Sequence, residues 1–262
     1  MSRPRLAGRA CYLGAVNAST TPPWPPRPAL FLDVDGTLLE LADHPSRVSV
    51  SPRLRGLLPE LPKATGGAVA LISGRRIEDL DRILAPHSYV AAGVHGLERR
   101  DVRGRLLTSG GTPQSLAEVR ALVDEFVEAR SGLWVEDKGA AFAVHYRSRP
   151  ELEPEVHCFV GELQDRLPPD VEVLLGHSVF EIKAGVVNKG SAITAFMEEP
   201  PFTGRTPVFL GDDVTDEAGF AAVNELGGIS VKVGSGPTIA RWRLDDVEAV
   251  LSWLDAAVRS GG

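Results

Sequence analysis

Three short apolar runs, each stopping abruptly at glycine or polar residues, constrain this chain most. Ala29-Leu30-Phe31-Leu32, Ala68-Val69-Ala70-Leu71-Ile72 and Pro207-Val208-Phe209-Leu210 show no alternation of apolar and polar positions. A strand with one wet face alternates. A strand covered on both faces does not, and that double burial belongs to parallel sheets sandwiched by helices. Between the first two runs, residues 51–63 read as a helix. After the second, residues 76–84 read as another, with Ile77, Leu80, Ile83 and Leu84 on one face. Strand, helix, strand, helix predicts a doubly wound α/β core.

The pattern changes in the middle of the chain. Residues 113–130 are amphipathic, and 133–147 hold two strand-like stretches around the turn Asp137-Lys138-Gly139. Residues 151–167 read as a second helix, and 171–183 as a second strand pair around Gly176. Helix, hairpin, helix, hairpin predicts a small α+β cap over residues 111–184, inserted into a core made of 29–110 and 185–262. The core resumes with a helix from Lys189 and ends with one from about Asp245. Residues 1–28 read as a flexible proline-rich tail. Its prolines lack the N–H that a helix or a central strand needs. Such a segment serves as a linker or as a peptide ligand for another domain.

Composition removes several function classes. Of the 262 residues 43% are hydrophobic and 24% charged, an ordinary globular balance. The net charge of −7 argues against nucleic-acid binding, which needs a basic face. The two cysteines, Cys11 and Cys158, have no metal-ligand spacing and read as unpaired thiols of a reducing compartment. No apolar run approaches the ~18 residues that span a bilayer. Arg3, Arg5 and Arg9 precede only a short, weakly apolar stretch, a poor signal peptide, so the expected location is cytoplasmic.

Chemistry is concentrated where the apolar runs end. Asp33-Val34-Asp35-Gly36-Thr37 follows the first run. Residues two apart on a strand point the same way, so Asp33 and Asp35 can converge before the chain turns at Gly36. Two such carboxylates can divide labour: one attacks phosphorus, the other gives a proton to the leaving oxygen and later takes one from water. Ile72-Ser73-Gly74-Arg75 ends the second run and offers a hydroxyl and backbone N–H groups to an anion. Asn188-Lys189-Gly190 opens a helix and places a compact positive charge, Lys189, near a phosphate. Gly211-Asp212-Asp213-Val214-Thr215-Asp216-Glu217 follows the third run. Converging carboxylates either take up protons or bind a cation. Oxygen ligands without His or Cys favour Mg²⁺, which also answers how so acidic a chain can admit an anionic substrate.

This ordered set resembles the four motifs of the haloacid dehalogenase (HAD) superfamily of phosphohydrolases, one class of which carries an α/β cap between the second and third motifs. Leu71–Arg75, Gly93-Val94-His95-Gly96-Leu97-Glu98, Glu136-Asp137-Lys138-Gly139, His145-Tyr146-Arg147, Val187–Gly190, Gly211–Glu217 and Val231-Lys232-Val233-Gly234 further resemble the trehalose-6-phosphate phosphatase family. The likeness spans roughly residues 29–255. It implies an HAD-like, Rossmannoid core with a specificity cap, removing phosphate from trehalose 6-phosphate through an aspartyl phosphate on Asp33. Asp35 would be the general acid and base, and Ser73, Gly74 and Lys189 would hold the phosphoryl group. Mg²⁺ would be held by Asp33, the backbone carbonyl of Asp35 and Asp212, with Asp213 or Asp216 in support. Glu136, Lys138 and Glu181 would grip sugar hydroxyls, and His95 would line the cleft between core and cap. His145 and Arg147 read equally as packing residues of the cap. Other sugar phosphates (sucrose, mannosyl or hexose phosphates) stay open as substrates. So does a regulatory module attached to a trehalose synthase; a trehalose-6-phosphate synthase as partner rests on the proline-rich tail alone. The tail matches nothing in the family pattern, and Trp242 stands where a tyrosine is frequent.

Overall fold

The apolar runs form the middle of the larger of two sheets. A computed structural model describes residues 21–41, 48–108, 113–139, 141–169, 171–176, 178–184 and 187–260. Strand β1 (Pro28–Leu32) is buried at every residue and lies between β2 (Val69–Ile72) and β10 (Thr206–Gly211), parallel to both. Beyond β10 come β11 (Ile229–Val233) and β12 (Trp242–Leu244); beyond β2 comes β3 (Ala91–Gly93), all parallel. An antiparallel hairpin, β4 (Glu98–Arg100) and β5 (Leu106–Thr108), extends that edge and gives the order β12-β11-β10-β1-β2-β3-β4-β5. The chain moves outward in one direction from β1 and in the other from β10. The loops after these two strands therefore diverge, and the crevice between them is where open α/β sheets bind ligands.

The period of two along β1 sends alternate side chains to two helical layers. Leu30 and Leu32 pack with Leu54 and Leu57 of α1 (Pro52–Leu57), Leu61 of α2 (Leu61–Ala64), Leu80 of α3 (Ile77–Ile83) and Val250 and Leu254 of α8 (Val247–Ser260). Ala29 and Phe31 face the opposite layer, with Ile193 and Phe196 of α6 (Lys189–Met197) and Phe220 of α7 (Glu217–Glu225). Phe31 stacks on Phe202 at 5.4 Å between ring centroids. Each such fully buried aromatic contributes about 1.5–3 kcal/mol of transfer free energy, which fixes the strand that carries the first acidic motif.

The second sheet is antiparallel throughout, in the order β6 (Trp134–Asp137), β7 (Ala141–His145), β9 (Val179–Ala184), β8 (Val171–Gly176). Helices α4 (Pro113–Glu128) and α5 (Glu153–Gln164) cover one face, where Phe142, Val144, Phe180 and Ile182 pack with Val119, Val123, Val156 and Val160. Alternation puts Trp134, Glu136, Ala143, His145 and Glu181 on the other face. In register, Ala143 is opposite Glu136 on one side and Glu181 on the other. Among the described residues no helix is long and apolar enough to cross a membrane.

Several sequence expectations need correction. The helix expected over residues 51–63 is two helices, α1 and α2. Ser51 caps the first, accepting from the Leu54 N–H, and Pro62 sits in the first turn of the second, where its missing N–H would have broken a continuous ladder. The end of the proline-rich segment is not a flexible tail. Trp253 Nε1 donates to the Pro22 carbonyl at 2.8 Å, Trp24 meets Trp253 edge-on at 5.1 Å, and Pro22 and Pro25 are buried. Two indole rings bury enough apolar surface to fix a segment with no ladder of its own. Residues 1–20 lie outside the described residues, and so does Cys11; Cys158 is free and exposed. The hairpin β4–β5 and helix α7 were not foreseen, the first because its strands are three residues long and the second because it opens inside the acidic motif.

Candidate active site

The site is assembled from strand ends. Asp33, directly after β1, is 4% exposed, and its N–H donates to the Leu210 carbonyl of β10. Asn188 caps α6 by accepting from the Ser191 N–H, which delivers Lys189, 3% exposed, into the crevice. Lys189 Nζ donates to Asp33 Oδ1 at 2.7 Å and to Asp216 Oδ1 at 2.6 Å. The second oxygen of Asp216 accepts the N–H groups of Asp212 and Asp213 at 3.0 and 2.9 Å. Asp216 thus ties its own loop to the lysine. Gly36 has φ +78°, and a Cβ there would lie 2.1 Å from Asp212 Oδ2. No other residue could turn the first acidic loop so close to the last one.

Three carboxylates converge at this point. Oxygens of Asp33, Asp212 and Asp216 lie within 4.8 Å of one another. Burial pushes the Asp33 carboxyl well above the usual carboxylate range; Lys189 opposes the shift, and Asp216 and Asp212 reinforce it. Burial, then Asp216, push Asp212 up to about 7. Burial alone would lower the Lys189 ammonium, but Asp216 and Asp33 raise it well above its ordinary value. Lys189 lies among the three acids, and Lys232 adds a second charge from the side of Asp212, whose carbonyl it donates to. Two ammonium groups against three carboxylates still leave a surplus of negative charge, and an all-oxygen donor set of this kind fits a hard divalent cation such as Mg²⁺. Asp213 and Asp216 were both expected in support of Asp212, and of the two only Asp216 is in the cluster. Asp213 Oδ1 accepts from the Val214 N–H and caps the 3₁₀ turn Val214–Asp216. That turn rotates the third acid of the motif, Asp216, inward in its place.

The second and first motifs meet directly. Arg75 Nε and a terminal guanidinium nitrogen donate to the two oxygens of Asp35 at 2.6 and 2.5 Å. Gly74 and Arg75 line the cavity, whereas the Ser73 hydroxyl, buried, accepts from the Arg75 N–H at 3.1 Å. Glu98 is a structural residue: its Oε2 accepts from the Ile77 N–H at the start of α3.

Opposite these groups stands the polar face of the smaller sheet, and the cavity between them measures about 340 Å³. Glu136, Lys138, Glu181 and His95 all line it. Lys138 reaches across to the Gly74 carbonyl at 3.1 Å and pairs with Glu181 Oε2 at 2.5 Å. His95, held in the left-handed region at φ +53°, places Nε2 3.4 Å from Glu181 Oε1. Burial alone would raise the Glu181 carboxyl, but His95 and Lys138 hold it down at about 2. The buried Glu181 Oε1 has His95 Nε2 at 3.4 Å without a well-formed hydrogen bond, which leaves it able to accept from a ligand hydroxyl. Glu136 is tied to His145 Nε2 at 2.8 Å. Burial opposes its ionisation, and the His145 hydrogen bond and the Lys138 charge more than reverse that.

The lining also includes Arg75 and Trp134, to which the sequence assigned no role, and His145 and Arg147, which read equally as packing residues of the cap. Arg75 lies inside a recognised stretch but gave no hint of its partner. Trp134 and Glu136 are two apart on one strand, a signal that could have placed the indole beside the acid.

Comparison with known proteins bears on the family and the fold. The family model described as trehalose-phosphatase matches residues 31–248. A trehalose-6-phosphate phosphatase of Escherichia coli (strain K12) is 44% identical over 236 residues, covering 90% of this chain and 88% of that protein. The C-terminal domain of a C. albicans trehalose-6-phosphate phosphatase superposes with a TM-score of 0.81 at 24% identity, over 89% of this chain and 92% of that one. BT1666 from Bacteroides thetaiotaomicron, described among the phosphatases of the HAD superfamily, superposes with a TM-score of 0.61 at 17% identity, over 90% and 95%. The last two likenesses concern the fold.

Proposed function

This chain belongs to the trehalose-phosphatase family, and we propose that it hydrolyses trehalose 6-phosphate to trehalose and phosphate, with Asp33 as the nucleophile. The observation that carries the reading is the pairing of two walls across one cavity. One wall holds Asp33, Asp35 and Lys189; the other holds Glu136, Lys138 and Glu181. The first suits phosphoryl transfer and the second a polyhydroxylated leaving group.

Asp33 attacks the phosphorus and the sugar oxygen departs. Lys189, fixed between Asp33 and Asp216, keeps its charge throughout and neutralises part of the charge on the transferring group. Asp35 gives its proton to the departing sugar oxygen, then takes one from the water that hydrolyses the aspartyl phosphate. Arg75 takes one lone pair on each Asp35 oxygen, which leaves the second lone pair of either oxygen for that proton. Asp33, Asp212 and the backbone carbonyl of Asp35 would hold Mg²⁺, with Asp216 supporting the loop behind them. When bound, the cation offsets the surplus negative charge and withdraws charge from the phosphoryl oxygens. Glu136, Lys138 and Glu181 orient the disaccharide by accepting from and donating to its hydroxyls. The cavity is within the ~300–1,000 Å³ usual for small-molecule sites.

The test is phosphate release from trehalose 6-phosphate, sucrose 6-phosphate, glucose 6-phosphate and mannosyl phosphates, with Mg²⁺ and with EDTA, for the wild type and Asp33→Asn. The expected result is a Mg²⁺-dependent preference for trehalose 6-phosphate, abolished by EDTA and by Asp33→Asn while the circular dichroism spectrum is retained. Preference for another sugar overturns the substrate. Turnover by Asp33→Asn overturns the mechanism.

A further inference from the structure

Two carboxylates of the smaller sheet face the cavity, and each has a histidine behind it. The pair formed by His95 and Glu181 spans core and cap. The pair formed by His145 and Glu136 lies wholly within the sheet, and its geometry is tighter. His145 is directly opposite Trp134 across the β6–β7 ladder, and Glu136 is two residues along from Trp134 on the same face. Cross-strand and diagonal neighbours on one face are within side-chain reach, and here both contacts are made. The Trp134 and His145 rings stack with centroids 4.0 Å apart and planes 10° from parallel. From that stacked position His145 Nε2 meets Glu136 Oε2 at 2.8 Å. An imidazole clamped against an indole cannot rotate freely about its χ angles, so its N–H direction is fixed. The carboxylate that accepts from it is fixed in turn.

We propose that His145, held by its stack on Trp134, is a positioning residue: it orients Glu136 so that the carboxylate's other oxygen is presented to a hydroxyl of the sugar. This deepens the reading above and rests on it for the contact between Glu136 and a sugar hydroxyl. Half-buried as it is, a Glu side chain has three rotatable bonds, and freezing them before the ligand arrives is what preorganisation means for affinity. His145 would therefore act on sugar recognition and not on phosphoryl transfer, which is performed on the opposite wall.

The experiment is a double-mutant cycle of His145→Ala, Glu136→Gln and the pair, with His145→Gln and Trp134→Phe as conservative variants. Each is assayed with the sugar phosphate that the wild type hydrolyses best and with p-nitrophenyl phosphate, whose leaving group has no hydroxyls for Glu136. The expected result is that His145→Ala lowers the ratio of the two kcat/KM values about tenfold, mainly through the KM for the sugar ester. The pair should be no worse than Glu136→Gln alone, because His145 works through Glu136. His145→Gln, which keeps a donor, should lose less than His145→Ala, and so should Trp134→Phe, which keeps a ring under the imidazole. Two results overturn the proposal: equal losses for both esters, or effects of His145→Ala and Glu136→Gln that multiply. A preferred sugar other than trehalose 6-phosphate overturns the substrate reading while the cycle still decides the role of His145. Turnover of p-nitrophenyl phosphate with no sugar ester accepted overturns both.

Discussion

Single side chains in this protein are set by how many charges they must share. Lys189 serves Asp33 and Asp216 at once, so the Asp33 carboxylate has only part of one ammonium to balance it. Glu181 is in the opposite situation: one carboxylate has both Lys138 and His95. A carboxyl held below its unfolded value stabilises the fold above the unfolded pKa, and the stabilisation is lost as pH falls through the folded one. For Glu181 that window runs from 4.5 down to about 2, a shift equivalent to roughly 3 kcal/mol. Urea unfolding of wild type and Glu181→Gln between pH 6 and pH 2.5 should show a wild-type advantage that is constant above about pH 4.5 and shrinks below it. A difference that does not change with pH would mean that Glu181 is not ionised against these partners.

At the scale of elements, strands aim the chemistry and helix contacts hold it in place. Helices α6 and α7 cross where Gly190 follows Lys189, and a Cβ on Gly190 would lie 2.3 Å from the Ala218 carbonyl oxygen. Alanine is the better helix former by about 0.8–1 kcal/mol. Forcing a methyl against backbone costs about 1–3 kcal/mol, since a carbonyl cannot swing aside as a flexible side chain would. The clash should therefore win. Gly190→Ala is expected to lower stability by about 1–2 kcal/mol in urea unfolding. It should also lower kcat, because α6 can only relieve the contact by moving Lys189. A stabilised Gly190→Ala would show that the two helices are not pressed together there.

At the scale of the whole molecule, the acidic cluster joins the two halves of the doubly wound sheet. Asp33 leaves β1 and Asp212 leaves β10, neighbouring strands from which the chain departs in opposite directions. A cation bound between them stabilises the folded state by mass action, about 2.7 kcal/mol at a concentration 100 times Kd. Thermal melts at pH 8 should thus rise on replacing EDTA with Mg²⁺. Asp212→Asn removes one of three converging carboxylates, so it should melt higher than the wild type in EDTA and respond little to Mg²⁺. An Asp212→Asn protein that is as Mg²⁺-sensitive as the wild type would remove Asp212 from the ligand set.

What the sequence by itself determined is what depends on local period and on turns. Runs buried on both faces gave the parallel core, and the segments that follow them, with Asp33, Ser73 and Asp212, had to emerge at one sheet edge. The turn Asp137-Lys138-Gly139 and the alternation on either side of it located the hairpin that carries Glu136. That Glu136 and Glu181 would serve the same sugar followed from the family resemblance alone; period fixes a face within one strand, and the register through Ala143 is what puts the two on one wall. Period does not say which partner waits there. Lys189 was expected to serve the Asp33 carboxylate, 156 residues away, but nothing in the motifs paired Arg75 with Asp35 across 40 residues. Only the packed sheet order decides such a pair. The same holds for Asp216 in place of Asp213, where a single 3₁₀ turn chooses which of two acids faces inward. It holds again for the proline-rich segment, since nothing near Pro22 and Trp24 shows that Trp253 will be there to receive them. Local sequence sets direction and periodicity. The identity of a contact is a property of the folded topology, because it requires two distant segments to be brought to the same place.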